Sequence, residues 1–484
     1  MKGSTTFYSS LLILIILNVI IKPVWILAID RQVQNAVGIE DYGVYFSLFN
    51  LSIIGSFLLD WGVTSYYNRQ LAANEPGYAG FAGKFFSLKL QYSFLYTAVI
   101  ILICYLAGIR NFSIIAGLVL LQVVTSFFLF FRAIITGNQL FRTDAWLSVM
   151  DKTLMILVCL GPLYFPLVFG TMTITRFLYL QVACTSLAML VAVFILFRID
   201  VTFKFRKKII FPQQFAKEAL PYGLIVLLMS LHYRADAFLL ERLHPEGPSE
   251  AGIYASSYRL LDAANMIGFL FVSFLMPYVA RLLAERKNPS AVILTTRHLL
   301  LITIIGLVCV VVFFAPWIHD RLYVHSDPYA VSVMQWAFPA LIGYSLVHIY
   351  GSIMTASGYI RQFCMLTGIA VIMNLILNVI LIPYFGAEGA AFAALATQTL
   401  CGIATMLFVR QKLSVPLHIS SLLIYIFIAF ALCFYFYWGS ARGMSTWLLI
   451  ISGAGIAIVL MLLTGLLKPL AWKQLFMKTP PRVQ

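Results

Sequence analysis

Runs of roughly twenty apolar residues, parted by short polar gaps, recur along all 484 residues of this chain. As a helix, each run would reach about 30 Å, the thickness of a bilayer's hydrocarbon core. A backbone crossing lipid must satisfy its own hydrogen bonds, so such a chain is expected to fold as a bundle of spanning helices. The composition agrees, with 62% hydrophobic and 11% charged residues. The pattern predicts an all-α polytopic membrane protein of about fourteen transmembrane helices. They fall near residues 8–29, 45–66, 85–106, 113–136, 146–167, 173–198, 217–240, 251–280, 298–318, 331–355, 362–384, 388–409, 418–438 and 445–467. No gap is long enough for a soluble domain. The first run exceeds a signal-peptide core, contains Lys22 and precedes no small-x-small cleavage site, so it is expected to remain as a span.

The lysines and arginines set the expected orientation, because short cytoplasmic loops collect them. With the N-terminus inside, inner segments hold Arg69, Lys84 and Arg142, then Arg198, Lys204, Arg206, Lys207, Lys208 and Lys217. Arg281, Arg286, Lys287, Arg297, Arg361, Arg410 and Lys412 follow, and the tail adds Lys468, Lys473, Lys478 and Arg482. Outer loops offer little beyond Arg31, Arg110, Arg242, Arg321 and Arg442. Both termini are therefore expected in the cytoplasm of a multi-pass protein of the cell (inner) membrane. The formal net charge of +15 is mostly this bias, and attraction to anionic inner-leaflet lipid accounts for it without nucleic acid.

Several chemistries find no motif. The seven cysteines lie in or beside apolar runs without C-x-x-C spacing, as packing residues do. A Walker A loop is absent, as are a nucleophile elbow and a metal-binding helix, so no cofactor, metal or catalytic residue is assigned and no enzyme activity is expected. The few scattered acids argue against a membrane-embedded glycosyltransferase or polymerase.

The chain also repeats itself. EDYGVYFSLFNLSIIGSFLLDWG, from Glu40, opens the second span, and SEAGIYASSYRLLDAANMIGFLF, from Ser249, opens the eighth. Gly43 and Tyr45 correspond to Gly252 and Tyr254. ITGNQLFRTDAW, from Ile135, matches MTASGYIRQFCM, from Met354, and LYFPLVFGTM, from Leu163, matches IPYFGAEGAA, from Ile382. The matches keep their order. They predict a six-span lobe over 1–198, a cytoplasmic linker over 199–216, a second six-span lobe over 217–412, and two extra spans with a tail over 413–484. Repeated lobes around a midplane site suggest an alternating-access carrier.

At this level the residues resemble a known family. ALPYGLIVLLMSLHYRADAFLLERL, from Ala219, and EAGIYASSYRLLDAANMIGFLFVSFLMPYVARLLAE, from Glu250, are similar to the seventh and eighth spans of bacterial polysaccharide and O-antigen flippases. So are the stretch from Ile21 to Ala72 and YFGAEGAAFAALATQ, from Tyr384. These flippases form the polysaccharide-transporter branch of the multidrug/oligosaccharidyl-lipid/polysaccharide (MOP) exporter superfamily, whose lobes are of the MATE type. The resemblance covers nearly the whole chain. It implies translocation of undecaprenyl-pyrophosphate-linked oligosaccharide repeat units for O-antigen, capsule or exopolysaccharide synthesis. It further implies a polysaccharide polymerase and export machinery as partners.

Candidate site residues are the charges inside spans. A basic residue there costs about 2.5–3.5 kcal/mol on insertion scales, so it usually faces protein or a wet cavity. Lys22 stands about 21 Å of rise from the inner end of span one, Arg234 at a comparable depth in span seven, and Arg259 roughly 12 Å from the outer end of span eight. A pyrophosphate would find charge-assisted partners in such cations. Alternatively Lys22 and Arg234 snorkel to the outer interface, and Arg259 pairs with Asp262 one turn along. Arg132, with Lys89, Asp151 and Lys152, is expected near the inner ends of spans three to five, as a basic vestibule or as interface anchors. Asp236, Asp262 and Asp60 are candidate proton or sodium sites, Asp60 also a structural one. Pro23 removes a backbone donor beside Lys22 and is the candidate hinge. In the resembled superfamily the first helix bends during transport. His232 and His348 are expected to be packing residues, and Trp25, Trp61, Trp317 and Trp438 to belong to interface belts.

Competing functions are a lipid II flippase, a drug/cation antiporter with acidic cavity residues, and a glycan polymerase. The polymerase would need a large outer loop, which the chain lacks.

Overall fold

The computed structural model describes residues 2–72, 82–199, 201, 213–324, 326–416 and 418–464, and all their regular elements are helical. The chain begins with α1 (Lys2–Val24), which passes through a π-helical turn (Trp25–Asp30) into α2 (Arg31–Val37). Next come α3 (Ile39–Gly55), a 3-10 turn (Ser56–Leu59), α4 (Val63–Ala72), α5 (Ala82–Leu106), α6 (Phe112–Gly137), α7 (Phe141–Tyr164), the short α8 (Pro166–Phe169) and α9 (Ile174–Arg198). The rest is α10 (Gln213–Leu243), α11 (Gly247–Ala284), α12 (Ser290–Phe313), α13 (Ala315–Leu322), α14 (Pro328–Ala337), α15 (Ala340–Ala356), α16 (Ile360–Leu413), α17 (Ile419–Ala441) and α18 (Thr446–Leu463).

Thirteen helical stretches among the described residues are long and apolar enough to cross a membrane. The 54 residues of α16 would make a straight rod of roughly 80 Å, far beyond one bilayer. Gly386, at φ 50° and ψ −130°, breaks that rod. α16 is therefore two crossings, and the fourteen spans expected from the sequence are met. The basic linker at 202–212, with Lys204, Arg206, Lys207 and Lys208, lies outside the described residues, as does the tail from 465 onward, with Lys468, Lys473, Lys478 and Arg482.

Two compact units emerge from the packing. The first holds Met1–Ala263 with Tyr323–His325 and Thr367–Ala394; the second holds Ala264–Leu322, Ser326–Leu366 and Leu395–Gln484. In the first, α1 packs on α7, α6 on α9, and α3 on α10. Its apolar core includes Tyr67, Phe85, Phe127, Phe130 and Phe131, all buried. In the second, α12 packs on α15 and α17, and α17 on α18.

The repeat seen in the sequence has a backbone signature. Asn138–Leu140 joins α6 to α7, and Ser357–Tyr359 joins α15 to α16. In the first connection Gln139 N–H donates to Thr136 O and Leu140 N–H to Ile135 O. In the second Gly358 N–H donates to Thr355 O and Tyr359 N–H to Met354 O. Gln139 and Gly358 both take positive φ, 63° and 81°. The second copy uses glycine, which adopts that region without strain.

Gly43 and Gly252, paired in the sequence repeat, meet in the first unit. A Cβ on Gly43 would stand 1.9 Å from the Pro248 carbonyl oxygen and 2.6 Å from the Gly252 nitrogen. One on Gly252 would stand 2.1 Å from the Ile39 carbonyl oxygen. Each glycine lets the other helix's backbone approach.

Candidate functional site

Pro23 lies one residue before the end of α1, and the π-turn follows directly. The expected kink is thus a locally widened helix, which re-aims every side chain after it. Trp25 is buried and stacks on Phe177 with ring centroids 5.8 Å apart, so it packs inside the first unit rather than in an interface belt.

The widened turn ends on Asp30, which lies just beyond the first span as read from the sequence and was not singled out there. It is 2% exposed. Its Oδ2 lies 2.8 Å from Arg259 Nε and accepts a hydrogen bond from the Tyr42 hydroxyl at 2.9 Å. The Arg259 guanidinium stacks over the rings of Phe46 and Phe49, at 4.9 and 5.2 Å. Pairing of Arg259 with Asp262 is therefore corrected: Asp262 instead holds Arg234, Oδ2 to Nη1, at 2.8 Å. Arg234 Nη1 also donates to Asn50 Oδ1 at 3.4 Å, and its guanidinium lies over the Tyr258 ring. Helical spacing allowed the one-turn pair, but each arginine finds its carboxylate on another element.

The remaining cations near this region divide into paired and unpaired. Arg132 grips Asp144 with two bonds, Nε–Oδ1 at 2.7 Å and Nη2–Oδ2 at 3.1 Å. Lys89, 1% exposed, is bonded to Asp60 Oδ1 at 2.7 Å and to the Leu59 carbonyl at 3.2 Å. Asp60 also accepts from the Thr64 amide at 3.2 Å, in the first turn of α4, after Trp61 and Gly62 take positive φ. Lys152 Nζ lies 3.2 Å from Asp151 and 5.3 Å from the Trp25 ring centroid.

Lys22 differs. Among the described residues no carboxylate forms an ion pair with it, and its electrostatic neighbours are Arg132, Asp151 and Lys152. One turn before it, Asn18 Nδ2 donates to Ser148 Oγ at 2.8 Å, which holds α1 against α7. With Arg132 and Lys152 each taken by an acid, this cluster keeps an excess positive charge at Lys22.

A cleft of about 560 Å³ opens among the 3-10 turn, α4, α6, α7 and α10. Asp60, Arg132 and Asp144 line it with Gln122, Asn68 and Thr125. Its lining carries both charge signs, from Arg132 and from Asp60 and Asp144, and a ligand there would meet both.

Asp236 is a carboxylate among neutral donors. It is 1% exposed and accepts from the Tyr254 hydroxyl at 3.1 Å and from Asn378 Nδ2 at 2.7 Å. No cation pairs with it among the described residues. His348 Nε2 lies 3.0 Å from Asn265 Oδ1 and its ring packs on Phe269, inside the second unit.

No family model matches the sequence, and no curated protein is similar enough in sequence to match. The fold is matched by solved structures. "Lipid II flippase MurJ, inward closed conformation" superposes with a TM-score of 0.66 at 14% identity, over 97% of this chain and 99% of that one. "Inward-facing conformation of a multidrug resistance MATE family transporter of the MOP superfamily" gives 0.63 at 15% identity, over 81% and 94%. A MOP superfamily transporter from Pyrococcus furiosus, described by the reverse polarity of its binding pocket, gives 0.59 at 15% identity, over 84% and 94%. This chain is a multi-pass membrane protein with the fold of the MOP superfamily transporters.

Proposed function

We propose that the chain is a flippase that carries undecaprenyl-pyrophosphate-linked oligosaccharide repeat units across the cell membrane for surface polysaccharide synthesis. The observation that carries this reading is the unpaired Lys22 inside a span, beside Arg132 and Lys152. Arg132, Lys152, Lys89, Arg234 and Arg259 each hold a carboxylate, whereas among the described residues none pairs with Lys22, which keeps its charge for an anion. A pyrophosphate headgroup is such an anion, and a lysine is a mobile point charge able to follow it. The near-complete overlap with a lipid II flippase, reaching 97% of this chain against 81% for the MATE transporter, supports a lipid-linked rather than a small cationic cargo.

In this account the two six-span lobes, 1–198 and 217–412, alternate access to the substrate, with both termini in the cytoplasm. Pro23 and the π-turn are the flexing element, and a polymerase and export machinery take the product. Asp236, ringed by neutral donors, is the first candidate for a coupling proton or sodium ion; Asp262 and Asp60, already paired with Arg234 and Lys89, follow it.

The deciding experiment is reconstitution. Wild-type protein in vesicles should move a fluorescent undecaprenyl-pyrophosphate oligosaccharide between leaflets and leave cationic dyes where they are. Dye extrusion without glycan movement would establish the antiporter instead. Movement of lipid II in preference to lipid-linked repeat units would make lipid II the cargo.

A further inference from the structure

Arg297 lies in the second unit, on α12, and is 2% exposed. A guanidinium has five N–H donors and no acceptor. Tyr350, on α15, and Tyr425, on α17, interact with it through their hydroxyls. Nε and Nη2 nevertheless keep no partner among the described residues. Those two nitrogens share one edge of the guanidinium, the fork that receives two oxygens of a single carboxylate or phosphate. Among the described residues no carboxylate pairs with Arg297.

Three helices fix the depth of this buried fork. Arg297 is seven residues into α12 from Ser290, Tyr425 is six into α17 from Ile419, and Tyr350 is six before the end of α15 at Ala356. The intervals are about 9–10.5 Å of rise, so the group sits roughly two turns inside one membrane face, the face to which the basic loops assign the cytoplasm. His298 Nδ1 lies 2.6 Å from the Tyr425 hydroxyl, and exposed His418 precedes α17. α12 and α17 both point their N-termini to this face. Beside Tyr425, the flank of α17 presents Leu422, Leu423 and Ile426 outward, with Leu423 63% and Ile426 66% exposed. That flank offers acyl chains an apolar surface on the same helix that carries Tyr425.

We propose that the Nε–Nη2 edge of Arg297 is a seat for the phosphate of a membrane lipid, with the lipid's chains lying along α17. The seat is separate from Lys22 and does not depend on the cargo carried there. The phosphate chemistry is shared by a bilayer phospholipid and by a polyprenyl carrier, and the test separates them.

The test is the melting temperature of the delipidated, full-length protein in detergent, with four additions. Phosphatidylglycerol should raise it by several degrees in the wild type, and the rise should vanish in Arg297→Gln. Diacylglycerol, which lacks the phosphate, should do nothing. A rise given only by undecaprenyl pyrophosphate, and lost in Arg297→Gln, would keep the seat and name the carrier as its lipid. Inorganic phosphate alone reproducing the Arg297-dependent rise would overturn a lipid site. Equal rises with diacylglycerol, equal rises in the variant, or none with any phosphate lipid would also overturn it. Arg297→Lys keeps the charge but lacks the fork, so it should retain less than half of the rise; it serves if the glutamine variant does not fold. Native mass spectrometry should find the phosphate lipid retained by the wild type, reduced on Arg297→Lys and lost from Arg297→Gln.

Discussion

Asp30 Oδ2 and Arg259 Nε stand 2.8 Å apart, with side chains 3% and 11% exposed, although 229 positions separate them in the chain. A buried pair is costly to break from one side, because the survivor is an uncompensated charge. Arg259 is therefore committed to Asp30, and could grip a phosphate only by giving that carboxylate up.

Arg259→Gln should cost about 3–5 kcal/mol of stability by stranding Asp30. The double variant Asp30→Asn/Arg259→Gln should recover most of it. Thermal unfolding of the four proteins in detergent gives the coupling between the two sites. Additive losses would mean that the ion pair contributes nothing as a pair.

Lys22 has no such partner, so Lys22→Ala should leave the fold intact. A hydrogen bond to a charged group contributes about 1.5–3 kcal/mol, so headgroup affinity should fall by about tenfold to a hundredfold. Lys22→Arg should keep partial transport, since charge rather than shape is what a mobile phosphate reads. Equilibrium binding of a fluorescent lipid-linked oligosaccharide, with melting temperature as control, checks this. Unchanged affinity in Lys22→Ala would remove the proposed anchor.

Gly43 and Gly252 predict a different failure. Neither copy can take a Cβ without moving the facing backbone, since the nearest atoms would be 1.9 and 2.1 Å away. Gly43→Ala and Gly252→Ala should each lower the melting temperature and the yield of inserted protein. Their effects should be less than additive, because either one opens the same contact. Two fully additive losses would show that the contacts are independent.

Much of this was legible in the sequence. Apolar length located the spans, including the two that α16 joins across Gly386, because helix rise and bilayer thickness are fixed quantities. Two positions matched in the sequence, Gln139 and Gly358, share a turn with positive φ, and two others, Gly43 and Gly252, touch. The ion pairs were not legible. Helical periodicity ranks Arg259 with Asp262, since it sees only one helix. Which carboxylate an arginine meets depends on packing between helices, and that is what sends Arg234 to Asp262. Asp30 was missed because a hydropathy window ends where polar residues begin. The π-turn after Pro23 extends the helix past that boundary and turns an apparent loop acid inward. Arg297 was read only as an inner-loop charge, for the same reason.

The last prediction concerns the driving force. A negative headgroup moving outward runs down an inside-negative potential, worth about 2.3 kcal/mol per charge per 100 mV. If Lys22 and its neighbours neutralise the headgroup in transit, the electrical work is done instead when the emptied, positive site returns inward. Two net charges per cycle then yield about 4–5 kcal/mol at roughly 100 mV, enough for transport without nucleotide. Flipping in proteoliposomes should therefore respond to an imposed potassium-diffusion potential and need no ATP. Asp236 bears on this because it is held by Tyr254 and Asn378 rather than by a cation. Asp236→Asn keeps the size of the side chain and one acceptor oxygen, so transport should survive it better than Lys22→Ala. Transport indifferent to voltage but lost in Asp236→Asn would instead mean that an ion bound at Asp236 drives the cycle, and the headgroup's own charge does not.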